Sequence, residues 1–210
     1  MKILVLGATG GIGKQVVRQA LDQGHEVTIL VRNPNRLDVS LHHTRCIEGD
    51  VLDPASVEAA VKGNDVVVSA LGVPPHQRSG DLIKQCVPIV IEAMRRHGLR
   101  RLIFTSGIVV KTRQLSFVPR LVMRLITRRE LLDQVADKLA GERILRESGI
   151  DWTLLYPVIL TDGPLTGRYR FGEDIRLRGF PKVSRADVAD LILKLASETQ
   201  SVNRELFVSD

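Results

Sequence analysis

The sequence predicts a single α/β domain of three layers, in which helices cover both faces of a parallel sheet. Segments typical of strands and of helices alternate along the 210 residues, which is the order of strand–helix–strand units. The strand-like segments are short and nearly all apolar, as Asp65–Leu71 shows, and strands buried on both faces have this composition. No repeat, linker or low-complexity segment divides the chain, so we expect one domain over residues 1–210.

The individual elements follow from periodicity and boundary residues. Gly11–Gln23 places apolar residues at helical spacing and is followed by Gly24. Asp53 and Pro54 mark the start of a short second helix. Further helices are predicted at Ser79–His97, Arg128–Glu147 and Ser184–Glu198. The predicted strands are Lys2–Leu6, His25–Val31, Thr44–Val51, Asp65–Leu71, Arg101–Thr105, Trp152–Tyr156 and Glu205–Val208.

Two connections, residues 108–127 and 161–182, have the least regular pattern. Both follow a predicted strand, so both belong at the carboxyl edge of the sheet, where ligands bind in this architecture. Long connections in a compact domain are often functional. We therefore expect the two segments to form a lid on the substrate side.

Four glycines stand in the first strand–helix turn, GATGGIG at residues 7–13. Gly7, Gly10 and Gly13 follow a strand at three-residue spacing and open a helix. Glycine permits the tight turn and lets backbone N–H groups approach a phosphate at the positive end of the helix dipole. In this context the spacing predicts the dinucleotide-binding turn of a Rossmann-type fold. The candidate cofactor contacts in the turn are Gly7, Thr9, Gly10, Gly11, Ile12 and Gly13.

The end of the second strand predicts NADP(H) rather than NAD(H) as the cofactor. An NAD site usually has Asp or Glu about 20 residues after the glycine turn, where it accepts hydrogen bonds from the ribose. This chain has Arg32 there and Arg36 nearby. A guanidinium at this place pairs with the 2′-phosphate of NADP. The alternative is that Arg32 is solvated and indifferent to the cofactor.

The net charge of +6 is concentrated in one segment. Residues 93–129 contain ten Arg and Lys and no Asp or Glu. Such a segment suits an anionic small molecule, nucleic acid or a membrane surface, or is simply a solvated face. We expect a small anionic aromatic substrate, with neither nucleic acid nor a membrane as partner.

Other features of the composition narrow the class of protein. Cys46 and Cys86 are expected to be reduced thiols, although a disulfide between them is the alternative. The sequence shows no signal peptide, no membrane span and no metal-site spacing, so we expect a cytoplasmic protein without a metal. No exposed apolar helix face is obvious, which favours a monomer.

Several short sequences together resemble one family. GATGGIG, LVRNPNRL, EGDVLD, SALG and FTSG are followed by ERILRESGIDWTLLYP and DGPLTGRY, over nearly the whole chain. The chain resembles the atypical short-chain dehydrogenases/reductases of the NAD(P)H-binding, NmrA-like family, and within it the biliverdin/flavin reductase branch. RESG, a hydrophobic strand that ends in Pro, and then PLTG form the most specific part of the resemblance.

The resemblance implies further cofactor contacts at the carboxyl ends of the third to sixth strands, the edge where a cofactor lies in this fold. These residues bracket the adenine, pass under the ribose, lie beside the nicotinamide and line its other side. In that order they are Asp50 and Val51; Ala70, Leu71 and Gly72; Thr105 and Ser106; and Pro157, Val158 and Ile159. For Asp50 and Gly72, turn chemistry at a strand end is the alternative.

Ser106 and Lys138 are the candidate catalytic residues. Most members of the larger superfamily use a Tyr four residues before a Lys, where the Tyr donates a proton and the Lys lowers its pKa. Lys138 resembles that lysine, but Gln134 stands at the Tyr position; the alternative for Lys138 is a surface pair with Glu142. The biliverdin/flavin reductase branch works without that Tyr, and its resemblance implies that Ser106 orients the nicotinamide or the acceptor. That branch carries a His where this chain has Val158.

Two functions are therefore expected as alternatives. One is an NADPH-dependent reductase that transfers hydride to a flat conjugated acceptor such as a flavin, a tetrapyrrole or a quinone-like compound, because the cofactor carries the chemistry and the site orients the acceptor. The other is a non-catalytic NADP(H)-binding redox-sensing regulator, which Gln134 and Val158 favour. A third hypothesis, an RNA-associated or assembly factor, depends on the basic segment alone and predicts binding that falls steeply with salt.

Overall fold

The computed structural model describes residues 1–37, 44–74, 76–107, 110–111, 129–177 and 179–210. Within these ranges the strands are β1 Lys2–Leu6, β2 Glu26–Val31, β3 Thr44–Glu48, β4 Val66–Ser69, β5 Arg101–Thr105, β6 Asp151–Pro157, β7 Ile159–Thr161, β8 Arg170–Gly172, β9 Lys182–Ser184 and β10 Arg204–Ser209. The helices are α1 Gly11–Asp22, α2 Pro54–Val61, α3 Leu82–Arg96, α4 Arg129–Arg146 and α5 Arg185–Ser197.

The main sheet has the strand order β3-β2-β1-β4-β5-β6-β10-β8. Neighbouring strands are parallel except for the last pair, in which β8 runs antiparallel to β10. The first six strands follow the doubly wound order, which reverses between β1 and β4 and opens a crevice there. The predicted Rossmann-type fold is confirmed. A separate two-stranded sheet pairs β7 with β9.

The helices form two packed groups, in which α1 contacts α5 and α3 lies against both α2 and α4. Between the groups, the central strands are buried on both faces: all four residues of β4 are buried, and β1 is buried from Ile3 to Leu6. Burial on both faces explains why these strands are nearly all apolar.

Strands β7, β8 and β9 were not predicted from the sequence, because each has only three residues and periodicity needs a longer segment. They lie in or beside the connection 161–182, which the pattern marks as irregular. The third predicted strand ends at Glu48 and not at Val51. The cause is a turn in which the Asp50 side chain accepts a hydrogen bond from the Leu52 N–H at 3.0 Å.

Helix α4 exposes two leucines seven residues apart, Leu132 at 58% and Leu139 at 43%. The expectation that no helix exposes an apolar face is wrong for α4, so the predicted monomer loses that support. None of the helices in the described part of the chain has the length and apolar character needed to cross a bilayer. In the same ranges no group of His, Cys, Asp and Glu side chains is arranged to hold a metal, and Cys46 and Cys86 are free thiols.

The start of α3 is capped from another helix. Asp81 stands at the N-cap with φ +57° and makes no side-chain cap. Instead, Asp137 of α4 accepts hydrogen bonds from the N–H groups of Ile83 at 3.0 Å and Lys84 at 2.8 Å. One turn earlier, Asp133 accepts from the N–H and the hydroxyl of Ser79. Helix α4 therefore fixes both the start of α3 and the loop that leads into it.

We predict that Asp137→Ala lowers the free energy of unfolding by about 1–3 kcal/mol, because one buried and one half-buried N–H group lose a charged acceptor. Urea unfolding followed by circular dichroism measures this loss. Glu147→Ala is the matched control, since among the described residues the Glu147 carboxylate forms an exposed pair with Arg143 of α4, whose loss changes stability by about 0.5 kcal/mol or less. Equal effects of the two substitutions would contradict the capping role.

Candidate functional site

The glycine turn between β1 and α1 brings three backbone segments together. Gly7 has φ +85°, and a Cβ there would lie 2.6 Å from the carbonyl oxygen of Ala70 at the end of β4. A Cβ on Gly13 would overlap the carbonyl of Gly7. Strand β1, helix α1 and strand β4 therefore approach at distances that only glycine permits.

The N-terminus of α1 is free to receive an anion. Gly10 is the N-cap residue, and the first turn has neither a side-chain cap nor an acidic residue. The first N–H groups of a helix have no partner within it, and the dipole makes this end positive. Thr9 is exposed beside it, whereas Ile12 is partly buried and packs on the core.

The carboxyl ends of β2 and β3 carry the residues predicted for the adenosine end of the cofactor. Arg32 directly follows β2 and is exposed. Arg36 ends a 3-10 turn at Pro34–Arg36 and is exposed as well. Val51 is buried, and the Asp50 carboxylate forms the turn already described, so turn chemistry accounts for at least one of its oxygens.

The predicted contacts at β4, β5 and β6 all lie at the carboxyl edge of the sheet. The N–H of Ala70 donates to the Leu6 carbonyl at 2.9 Å and so extends the ladder between β4 and β1. Gly72 is exposed, with open space around its Cα. The other predicted contacts are Leu71, partly buried; Thr105, Ser106, Pro157 and Val158, buried; and Ile159, exposed.

These residues fit a dinucleotide. The Gly7, Gly10 and Gly13 turn leaves a cradle that side chains would fill, and the first turn of α1 above it carries no acidic residue and no side-chain cap. At the end of β5, the Thr105 hydroxyl oxygen is buried and has no hydrogen-bond partner among the described residues. A buried hydroxyl without a partner is costly in a folded protein and therefore suggests a bound group.

Ser106 is held in place by three hydrogen bonds. Its N–H donates to the Leu155 carbonyl at 2.8 Å, and its carbonyl accepts from the Lys138 ammonium at 3.2 Å. Its hydroxyl donates to the Glu142 carboxylate at 2.7 Å. Since a serine hydroxyl has one proton, Ser106 can offer a ligand only the acceptor side of its oxygen.

Glu142 is the centre of a buried network. It is fully buried and accepts hydrogen bonds not only from Ser106 but also from the Tyr156 hydroxyl at 2.8 Å and the Arg146 guanidinium at 2.9 Å. Arg146 in turn pairs with Glu205. Burial raises the pKa of the Tyr156 phenol, and the Glu142 charge raises it further, so Tyr156 stays protonated and donates.

Lys138 and Gln134 line a small cavity beside the end of β4. The cavity has a volume of about 50 Å³ and is lined by Gly72, Val73, Ser79, Leu82, Ile83, Gln134, Asp137 and Lys138. Burial lowers the pKa of Lys138, an effect that Glu142 and Asp137 oppose. The Gln134 amide donates to the carbonyls of Pro74 at 2.9 Å and Gln77 at 2.6 Å, so it holds the loop after β4.

The PLTG segment, residues 164–167, is anchored on α5. The Asp187 carboxylate accepts hydrogen bonds from the N–H groups of Thr166 and Gly167 and from the hydroxyls of Thr166 and Ser184. Burial alone would raise the pKa of Asp187, but these hydrogen bonds outweigh it and hold the pKa below its usual value. One buried carboxylate thus fixes the loop between β7 and β8.

A family model described as NAD(P)H-binding matches residues 7–199. The chain belongs to that NAD(P)H-binding family. Among its relatives, pinoresinol reductase 1 of Arabidopsis thaliana is 33% identical over 162 residues, 72% of this chain and 47% of the relative. The photosystem II assembly factor Ycf39 of Cyanophora paradoxa is 29% identical over 157 residues, 73% of this chain and 44% of the relative. The matched region of the chain thus covers less than half the length of either relative.

The solved structure of ChuY, described as an anaerobillin reductase from Escherichia coli O157:H7, superimposes on this NAD(P)H-binding protein with a TM-score of 0.79. The two chains are 23% identical, and the superposition covers 99% of this chain and 96% of ChuY. At this identity the likeness shows the shared fold.

Sequence reasoning missed two central residues of this NAD(P)H-binding protein, Glu142 and Asp187. The spacing of Lys138 and Glu142 predicts only a surface pair, because an i, i+4 pair on a helix is ordinarily exposed. The capping pattern Ser184-x-x-Asp187 marks the start of α5, but the sequence does not show that the same carboxylate binds Thr166 and Gly167. Of the predicted lid segment 108–127, all but Val110 and Lys111 lies outside the described residues.

The basic segment is partly neutralised by the protein itself. Arg96 pairs with Glu58 and Glu92, and Arg100 pairs with Asp151. The Arg95 and Arg101 guanidiniums donate to backbone carbonyls. The four arginines at its start are therefore already partnered, and residues 112–128 lie outside the described ranges.

We predict that Tyr156→Phe lowers the free energy of unfolding by about 1.5–3 kcal/mol, because Glu142 loses one of three hydrogen bonds in a buried site. The matched control is Tyr169→Phe, since the Tyr169 hydroxyl also donates to a carboxylate, that of Asp190, but near the surface. Its loss should be about 1 kcal/mol or less. Urea unfolding of both variants compares them, and a larger loss for Tyr169→Phe would refute the ranking.

Proposed function

We propose that this protein is an NADPH-dependent reductase that transfers hydride to a flat conjugated acceptor. The observation that carries the proposal is the dinucleotide site between β1, α1 and β4, and the state of Gln134 limits the acceptors that such a reductase can use. The residue at the usual proton-donor position is an amide whose N–H groups are given to two backbone carbonyls. Gln134 therefore cannot protonate a substrate from this position. A conjugated acceptor does not need that proton, because it can take hydride and receive its proton from water.

The chain's own residues supply binding and orientation. The free N-terminus of α1 and the glycine cradle suit the pyrophosphate, and the orphaned Thr105 hydroxyl suits a polar group of the cofactor at the end of β5. When bound, NADPH supplies the hydride. Ser106 contributes a hydrogen-bond acceptor, because Glu142 takes its only proton. Ser106 is therefore suited to orient an N–H or O–H group and not to donate a proton.

Two of the similar proteins bear on the acceptor class. A flavin, a tetrapyrrole and a quinone-like compound share a flat conjugated system that accepts hydride. ChuY, which has the same fold, is described as an anaerobillin reductase, and pinoresinol reductase 1 is also named as a reductase. These names support a reductase and place a tetrapyrrole among the acceptors to assay.

A second candidate is a non-catalytic NADP(H)-binding regulator. The same Gln134 contacts favour it, because they replace a catalytic group by a loop anchor. A relative of this chain, Ycf39, is named as an assembly factor and not as an enzyme. The two candidates share the nucleotide site and differ in whether bound NADPH is consumed.

We predict that Arg32→Asp shifts cofactor preference from NADPH towards NADH by at least about tenfold, since one charge-assisted phosphate contact is lost and a repulsive charge is gained. Titration of protein fluorescence with each nucleotide gives the ratio of the two dissociation constants. Arg18→Asp, an exposed arginine on α1 away from the carboxyl edge, is the charge-matched control. An unchanged ratio in Arg32→Asp would remove the assignment of NADP.

We predict that the purified protein oxidises NADPH with FMN as acceptor and that Ser106→Ala reduces turnover by about tenfold or more, the size of a lost positioning contact. Absorbance at the NADPH band follows the reaction. Ser197→Ala, at the far end of α5, is the control and should leave the rate unchanged. Tight NADPH binding without turnover on FMN, biliverdin-like or quinone acceptors would favour the regulator.

A further inference from the structure

The fourth glycine of the turn, Gly11, is not explained by the Gly7-x-x-Gly10-x-x-Gly13 spacing. In the structure, Gly11 lies against a side chain from another helix. A Cβ on Gly11 would lie 2.6 Å from Cδ and 2.7 Å from Nε of Arg185. The first turn of α1 therefore makes room for an arginine that comes from α5.

Arg185 is fixed in this place by the fold. It is the first residue of α5 and directly follows β9. The next residue, Ala186, accepts a buried hydrogen bond from the Gln19 side chain of α1 at 2.9 Å. Helices α1 and α5 are thus joined next to Arg185, and the side chain of Arg185 has to run along the glycine turn.

The electrostatic setting of Arg185 is unusual for a cation. The Arg185 side chain starts at the first residue of α5, and its guanidinium lies near the N-terminus of α1. Both of these helix ends are positive. Cations are disfavoured at such ends unless an anion is nearby. Its ion-pair partner is Asp162, at 2.6 Å, whose side chain is 90% exposed. The Arg185 side chain is 28% exposed. Because the carboxylate of the pair is solvated, the pair contributes little stability, about 0–1 kcal/mol, and a multivalent anion competes well for Arg185.

We propose that Arg185 is a phosphate-binding residue of the nucleotide site and that Asp162 competes with the bound pyrophosphate for it. The proposal rests on the nucleotide site of the proposed function. A pyrophosphate offers a guanidinium several charged oxygens in a bidentate arrangement, which a single exposed carboxylate does not match. The α1 N-terminus and Arg185 then hold the same anion from two directions.

The competition couples the nucleotide to the loop between β7 and β8. Asp162 directly follows β7, and four residues later Thr166 is anchored on Asp187. One end of this loop is therefore tied to Arg185 and the other to Asp187, both on α5. Transfer of Arg185 to pyrophosphate frees the Asp162 end only, so nucleotide binding changes the part of the predicted lid that precedes Thr166.

The two partners of the ion pair should respond with opposite signs, and this separates the proposal from a structural role. Arg185→Ala should weaken NADPH binding about 10- to 100-fold, because charge-assisted hydrogen bonds to phosphate are lost. Asp162→Asn should tighten NADPH binding about two- to fivefold, because the competitor is removed. Gly11→Ala should weaken binding as Arg185→Ala does, since it displaces Arg185 while keeping the charge.

Calorimetric titration of each folded variant with NADPH and with ADP-ribose tests these expectations, and thermal unfolding checks that each variant is folded. ADP-ribose contains the pyrophosphate without the nicotinamide, so Arg185→Ala should affect both ligands equally. Arg204→Ala is the control, because Arg204 makes an exposed arginine–carboxylate pair with Glu173 on the β8–β10 side of the sheet. It should leave both affinities unchanged.

Each outcome decides between the hypotheses. If Arg185→Ala leaves affinity unchanged, or if Arg185→Ala and Asp162→Asn weaken it alike, the pair is only structural and the proposal fails while the nucleotide site stands. If the unsubstituted protein binds neither ligand, the proposal and the proposed function fail together. Opposite signs without turnover on any acceptor would uphold Arg185 and count against the reductase.

Discussion

The close approach of three backbone segments at Gly7 determines where a ligand can lie. The carbonyl of Ala70 occupies the space beside Gly7, and the carbonyl of Gly7 occupies the space beside Gly13. Side chains at these two glycines would push α1 away from β1 and β4. The helix end would then no longer face the crevice in which the strand order reverses, and the crevice is where ligands bind in doubly wound sheets. The site thus depends on the absence of two Cβ atoms.

Buried carboxylates fix the other segments of the site in place, as the glycines fix the turn. Asp137 caps α3 from α4, Asp187 holds the PLTG loop from α5, and Glu142 fixes the hydroxyl of Ser106. In each case one helix supplies the charge that orders a neighbouring segment at the carboxyl edge. A buried carboxylate is stable only when its oxygens are well hydrogen-bonded, so each of these segments is held in one arrangement.

The sequence predicts local features of this protein and misses tertiary ones. The main strands and helices follow from apolar periodicity, and the phosphate cradle follows from Gly7, Gly10 and Gly13, because these patterns are written in consecutive residues. The contact of Arg185 with Gly11 joins residues 174 positions apart, and no local pattern encodes it. For the same reason the roles of Glu142 and Asp187 appear only in the structure. The three-residue strands β7–β9 fall below the length at which periodicity is informative.

Two polar side chains at the site, Gln134 and Ser106, donate their protons to protein acceptors and not to a ligand. Gln134 gives its N–H groups to the loop after β4, and Ser106 gives its proton to Glu142. Tyr156, a tyrosine whose hydroxyl lies close to Ser106 through Glu142, is fully buried and donates to the same carboxylate. These three groups therefore shape and orient without acid chemistry. In the proposed reductase none of these three groups supplies the proton that follows hydride transfer, which suits a flat conjugated acceptor whose reduced form is stabilised by delocalisation and that takes its proton from water.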